Sequence, residues 1–154
     1  MKVLVLGGAG SMGGGGASLL LTYPDVESIV LADLNKEAVD QFAASLNSPK
    51  VSTMQLDVTD RQKLIETAKN FDVVLNAVGP FTRFGVPILE AIIEAGVNYV
   101  DVCDDHDAAM DLLELDERAK AAGITALICM GTTPGISNVQ ARYAADKLDS
   151  VDTL

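Results

Sequence analysis

Lys2-Val3-Leu4-Val5-Leu6-Gly7-Gly8-Ala9-Gly10-Ser11-Met12-Gly13 sets a short apolar run directly against a Gly-x-Gly-x-x-Gly turn, and Asp33 follows twenty residues after Gly13 at the end of a second apolar run. A glycine triplet of this form is weak evidence by itself. Closing a strand, opening a helix and followed at this distance by an acid, it marks a dinucleotide-binding unit. Gly8 is expected to allow the tight turn, Gly10 to let the backbone approach a pyrophosphate, and Gly13 to let the helix pack close to the strand. The amides at the helix start, with the positive end of its dipole, then receive the anion. The Asp33 carboxylate can accept both hydrogen bonds from an adenosine ribose. Its charge repels a 2′-phosphate, so NAD is the expected cofactor, while Asn35 and Lys36 stand close enough in sequence to admit NADP.

Outward from this unit, short apolar runs alternate with amphipathic segments. Strands are expected at residues 2–6, 28–32, 51–55, 73–76, 99–102 and 125–129. Val39, Phe42, Ala43 and Leu46 recur at i, i+3, i+4 and i+7, and Leu89, Ile92 and Ile93 repeat that face before Gly96 stops the helix. Thr59-Asp60-Arg61-Gln62 and Ser137-Asn138-Val139-Gln140 have the capping-box form, which predicts helices starting at Thr59 and Ser137. Six strands alternating with helices predict an α/β fold, an open, doubly wound parallel sheet of the Rossmann type in the order 3-2-1-4-5-6.

Ligands of such sheets lie beyond the carboxyl ends of the strands, near the switch point. That rule places the site at residues 8–13, 33–35, 57–58, 76–81 and 102–104. Leu34 and Asn35 flank Asp33 there. Asp57-Val58 is expected to meet the adenine, with the carboxylate at the exocyclic amine. In Asn76-Ala77-Val78-Gly79-Pro80-Phe81 the small residues let a cofactor cross the sheet edge, and Gly79-Pro80 sets a rigid turn. Gly131-Thr132-Thr133-Pro134-Gly135 is a turn ahead of the last helix and a candidate lining for the nicotinamide side.

Composition narrows the classes. The 154 residues amount to one domain. Hydrophobic residues make up 49 %, with no Trp and only 5 % aromatics, as expected of a sheet buried on both faces. Twenty-two acids against eleven bases leave a net charge of −11, which repels phosphate backbones and argues against nucleic acid. No apolar run approaches the ~20 residues of a membrane span, so no membrane partner is expected. Gly7-Gly8 cuts the first run too short for a signal sequence. Cys103 and Cys129 form neither a disulfide framework nor a metal pattern, which fits a reduced, cytoplasmic setting. In Cys103-Asp104-Asp105-His106-Asp107 the acids precede a helix and favour its dipole, so no metal site is assigned. His106 is read as a surface residue and Cys103 as small packing. The run Gly13-Gly14-Gly15-Gly16 has no sequence-level reason beyond Gly13, although each helical glycine costs up to ~1 kcal/mol relative to alanine.

The chain resembles the N-terminal nucleotide-binding domain of the saccharopine dehydrogenase family, including its lysine-6-dehydrogenase-like branch. The resemblance lies in residues 7–13, 75–81 with Gly85-Val86-Pro87, 94–101 and 130–138. It implies an NAD(P)-dependent oxidoreductase acting by hydride transfer at a carbon–nitrogen bond of an amino acid. It carries cofactor roles onto Ser11, Met12, Asp33, Val58, Gly79 and Phe81, and assigns no catalytic acid or base. In that family a second α/β domain follows, supplies much of the pocket for a small-molecule amino-acid substrate and often the contacts of a homodimer. Residues 1–154 are expected to be the cofactor domain without that second domain. Val151-Asp152-Thr153-Leu154 reads as the start of a further strand, so a piece of a longer enzyme is expected, binding cofactor alone without turnover. A rival from another class is a non-catalytic NAD(P)-binding sensor or regulatory Rossmann domain, which accommodates the lack of an acid–base pair. An S-adenosylmethionine enzyme fits less well, because the full glycine triplet favours a pyrophosphate.

Overall fold

A computed structural model describes residues 1–153. Its strands are β1 (Lys2–Leu6), β2 (Ser28–Asp33), β3 (Val51–Gln55), β4 (Val73–Asn76), β5 (Asn98–Asp101) and β6 (Ala126–Leu127). Its helices are α1 (Ser11–Leu20), α2 (Lys36–Leu46), α3 (Arg61–Ala68), α4 (Phe81–Ala95), α5 (His106–Leu113), α6 (Asp116–Ala121) and α7 (Ile136–Ala145). All strand pairs are parallel, in the order β3-β2-β1-β4-β5-β6, the doubly wound arrangement read from the sequence. No described helix is long and apolar enough to cross a membrane.

β1 shows why the sheet is central. Successive side chains of a strand point to opposite faces, and both faces here are covered. Val3 and Val5 pack with Ile29, Leu31, Ala17 and Val39 beneath α1 and α2. Leu4 and Leu6 pack on the other side with Leu64 of α3 and Ile88, Leu89 and Ile92 of α4. Each such side chain contributes about 1.5–3 kcal/mol on burial. Gly96, in the left-handed region at φ 71°, ends α4 as expected.

Several local expectations are corrected. β2 runs one residue further, because Asp33 still pairs with Gln55. β5 starts at Asn98 and ends before Val102, because the Asp101 side chain accepts from the Cys103 amide and turns the chain. β6 holds two residues instead of five. It is an edge strand pairing only through Tyr99 with Ala126 and Val100 with Leu127, and Cys129 at φ 61° breaks the extension. The cap of α3 is Asp60, which accepts from Lys63 N at 3.1 Å, since the Thr59 hydroxyl already donates to Asp57. α7 begins at Ile136, so Ser137 lies inside it. The amides of Ile136 and Ser137 bond the carbonyls of Gly131 and Thr132, so loop backbone does the capping. Residues 151–153 form no strand, and Leu154 lies outside the described residues.

The glycine run has a packing reason at three of its four positions. A Cβ on Gly13 would stand 2.3 Å from the Gly7 carbonyl oxygen, one on Gly14 2.7 Å from the Phe42 ring, and one on Gly16 2.8 Å from Leu75. Around Gly15 there is open space. The left-handed residue of the turn is Gly7, at φ 75°, and not Gly8, which instead approaches Leu31. Gly13→Ala should therefore lower stability by about 1–3 kcal/mol, because backbone must move. Gly15→Ala should raise it by about 0.5–1 kcal/mol through helix propensity. Urea denaturation of both variants checks this, and equal shifts of the same sign would refute the packing account.

Candidate functional site

The carboxyl ends of β1 to β4 surround an open cleft of about 600 Å³. Three strands end in the same device, repeated just past a fourth, an Asp or Asn whose side chain accepts from the amide two residues on. Asp33 Oδ1 accepts from Asn35 N at 3.0 Å, and its Oδ2 accepts from Ala9 N at 3.1 Å, which ties the glycine turn to β2. Asp57 Oδ1 accepts from Thr59 N at 2.9 Å and from the Thr59 hydroxyl at 2.6 Å. These two bonds, the hydroxyl first, hold the exposed Asp57 carboxyl below its ordinary value. Asn76 Oδ1 accepts from Val78 N at 3.0 Å while its amide donates to the buried Tyr99 hydroxyl at 2.9 Å. Asp101 repeats the pattern at the end of β5. At β1 the turn is made by backbone instead, with Gly7 N and Gly8 N both donating to the Ala32 carbonyl at 3.0 Å.

Gly10, Asp33, Leu34, Asp57, Val58 and the loop of Ala77, Val78 and Gly79 line this one cleft. Gly8 and Gly13 lie buried behind it, where they set the height of α1. Ser11 and Met12 form the exposed first turn of α1, with Met12 67 % exposed. The structure does not bring the remaining three to the lining. Asn35 caps α2 by accepting from Ala38 N at 3.0 Å. Pro80 caps α4, and Phe81 turns into the core with 8 % exposure. Gly7, Ala32, Leu56 and Thr59 line the cleft too, each next to a predicted position, and two lining residues stand apart from the predicted stretches, Arg83 and Phe84 on the first turns of α4. Their signal was their position, directly after the Gly79-Pro80 turn, on a helix that starts at the same sheet edge as α1.

Other candidates separate from the cleft. Lys36 bonds Asp40 and Thr53. His106 sits exposed beside Asp107, and no metal-holding group of side chains occurs among the described residues. Burial pushes the Cys103 thiol up and the Cys129 thiol to about 11, so neither is an activated nucleophile at neutral pH. The turn from Gly131 to Gly135 lies past β6 and does not line the cleft.

A family model described as the saccharopine dehydrogenase NADP binding domain matches residues 3–127. The carboxyaminopropylagmatine dehydrogenase of Synechocystis sp. is 30 % identical over 151 residues, covering 93 % of this chain and 37 % of that protein. The carboxynorspermidine synthase of Vibrio cholerae is 31 % identical over 124 residues, covering 70 % of this chain and 30 % of that protein. Among solved structures, apo saccharopine dehydrogenase (L-Glu forming) from Saccharomyces cerevisiae matches with a TM-score of 0.80 at 26 % identity, covering 95 % of this chain and 31 % of that one. The chain thus spans about a third of the length of these relatives.

Beside the cleft, Asp101 is fully buried. Its Oδ1 accepts from Cys103 N at 3.0 Å and Cys129 N at 2.7 Å, while Oδ2 has no partner among the described residues. Burial raises its pKa, against the pull of the two amides. A carboxyl raised on folding takes up a proton, so its contribution is present below the unfolded value and is lost as pH rises through the folded one. Asp101→Asn keeps the accepting oxygen and removes the charge. Its melting temperature relative to the parent chain should therefore climb as pH rises from about 3.5 to 7. A difference that stays flat with pH would refute this.

Proposed function

The chain belongs to the saccharopine dehydrogenase NADP-binding domain family, and on that premise we propose that it is the NAD(P)-binding domain of an oxidoreductase that transfers a hydride at a carbon–nitrogen bond of an amino acid. The observation that carries this reading is the single cleft lined together by Gly7 and Gly10 of the glycine turn, Asp33, Asp57 and Val58. The first amides of α1, behind the exposed Gly10, suit a pyrophosphate. An ionised carboxylate has roughly four acceptor sites, and the Asp33 oxygens use one each on Ala9 and Asn35. Two remain for the ribose hydroxyls, which favours NAD over NADP. Leu34 and Val58 then flank the adenine, and Ala77 and Gly79 leave room for the dinucleotide to cross the sheet edge.

The nicotinamide supplies hydride chemistry when bound, and this chain's residues bind and orient it. The amino-acid pocket and the contacts of a homodimer belong in this reading to the part of the relatives that the chain does not span, and we assign no acid or base here. Two thiols kept protonated by burial suit a reducing, cytoplasmic setting.

Calorimetric titration with NADH and NADPH at matched salt tests the reading. Asp33→Ala should weaken NADH binding by roughly 1–3 kcal/mol, the value of charged hydrogen bonds, and Gly10→Val should abolish binding of both. A folded parent chain that binds neither cofactor would overturn the proposal.

A further inference from the structure

Among the residues lining the cleft, Arg83 is the one cation, in a chain of net charge −11 whose cleft also holds two carboxylates. Lys36, the cation nearest Asp33 in sequence, is engaged by Asp40 and Thr53. Arg61, Arg118 and Arg142 pair with Glu94, Glu90 and Asp146. Arg83 pairs with no carboxylate among the described residues. Its guanidinium carbon lies 4.8 Å from the centroid of the Phe84 ring, itself half-buried in the cleft wall. Stacking on a ring holds the guanidinium plane and leaves its N–H edges for another acceptor. Arg83 is also the third residue of α4, whose first turn contains no acid. A cation at the positive end of a helix dipole is unfavourable for the fold, and an anion delivered by a ligand removes that cost.

We infer that Arg83 is the phosphate-recognising cation of this cleft, its planar fork receiving a phosphate of the dinucleotide. The inference rests on the cofactor reading above. The phosphate has two sources in such a ligand, the pyrophosphate bridge and the 2′-phosphate of NADP, and both offer the oxygen geometry that an arginine fork matches.

The test compares the parent chain with Arg83→Gln and Arg83→Lys by calorimetry, using NADH, NADPH and adenosine, with thermal melting as the check of folding. Loss of a charge-assisted hydrogen bond should weaken binding about 10- to 100-fold in Arg83→Gln. A loss confined to NADPH assigns the 2′-phosphate. An equal loss for NADH and NADPH, with adenosine unchanged, assigns the bridge. Arg83→Lys, which keeps charge without the fork, should fall between. In the parent chain alone, raising the salt should weaken the affected cofactor more steeply than in Arg83→Gln. Unchanged cofactor affinities in Arg83→Gln would overturn the inference and leave the cofactor reading standing. An equal loss for adenosine, which has no phosphate, would replace it with base stacking. A folded parent chain that binds neither dinucleotide would overturn both.

Discussion

The separation of Gly13 from the Gly7 carbonyl allows no side-chain carbon between them, since a Cβ there would stand 2.3 Å from the oxygen. The cleft depends on that contact. It lets α1 descend onto the carboxyl end of β1, which presents the first amides of the helix at the height of the neighbouring strand ends. The same descent brings Ala9 N within 3.1 Å of Asp33, so the turn is bonded to β2 as well as to β1. A helix displaced outward by one methyl group would lose the amide array and the latch together. Gly14 and Gly16 extend the constraint along the helix, against Phe42 and Leu75. The helix gives up propensity there in exchange for proximity, which a parallel sheet covered on both faces demands.

A second constraint sits at the strand ends. Asp33, Asp57, Asn76 and Asp101 each receive the amide two residues on, so β2, β4 and β5 stop by one chemistry, which the chain repeats two residues past the end of β3. Short polar side chains compete with the sheet ladder for backbone donors, and at these positions they win. The polar row therefore falls along one edge of the sheet, where a ligand is also met. Behind it, Asn76 joins β4 to β5 through Tyr99, and Asp101 joins the β5 turn to the chain after β6 through Cys129. The loops of the cleft are thus fixed by buried hydrogen bonds in the layer beneath.

Much of this was legible in the sequence because it is local. The short unbroken apolar run of Val3 to Leu6, closed by glycine, and the period of 3.6 in Val39 to Leu46 and Leu89 to Ile93 identify elements without reference to partners. The glycine spacing and Asp33 located the cleft. What escaped depended on neighbours. β6 is short because an edge strand has one partner and Cys129 leaves the extended region. Thr59 and Ser137 do not cap, because a nearer carboxylate engages one and loop carbonyls take over from the other. Phe81 looked like a cofactor contact by its place after Gly79-Pro80. Yet it shares a helical face with Gly85, Ile88 and Ile92, and that face belongs to the core. Arg83 lies off that face, and only the packing of α4 over the sheet edge shows that it reaches the cleft.

Net charge and local field part company in this molecule. An excess of eleven negative charges would repel an anionic ligand at long range. Within a Debye length of about 8 Å, however, the groups that count are those of the cleft itself. The two carboxylates there each accept two hydrogen bonds from the chain, Asp33 from two amides and Asp57 from an amide and a hydroxyl, and both keep their charge. The helix starts of α1 and α4 face the same edge and carry no acid in their first turns, unlike α2, α5 and α6, whose first turns hold Glu37, Asp107, and Asp116 with Glu117. Arg83 sets one positive charge, beside the amides at the starts of α1 and α4, in a cleft that also holds the two carboxylates. For the dinucleotide proposed above, discrimination would rest on donors that touch the ligand, the first amides of α1 and the Arg83 fork, and not on the net charge met at long range, so the acidity of the surface and the affinity of the site are free to vary independently.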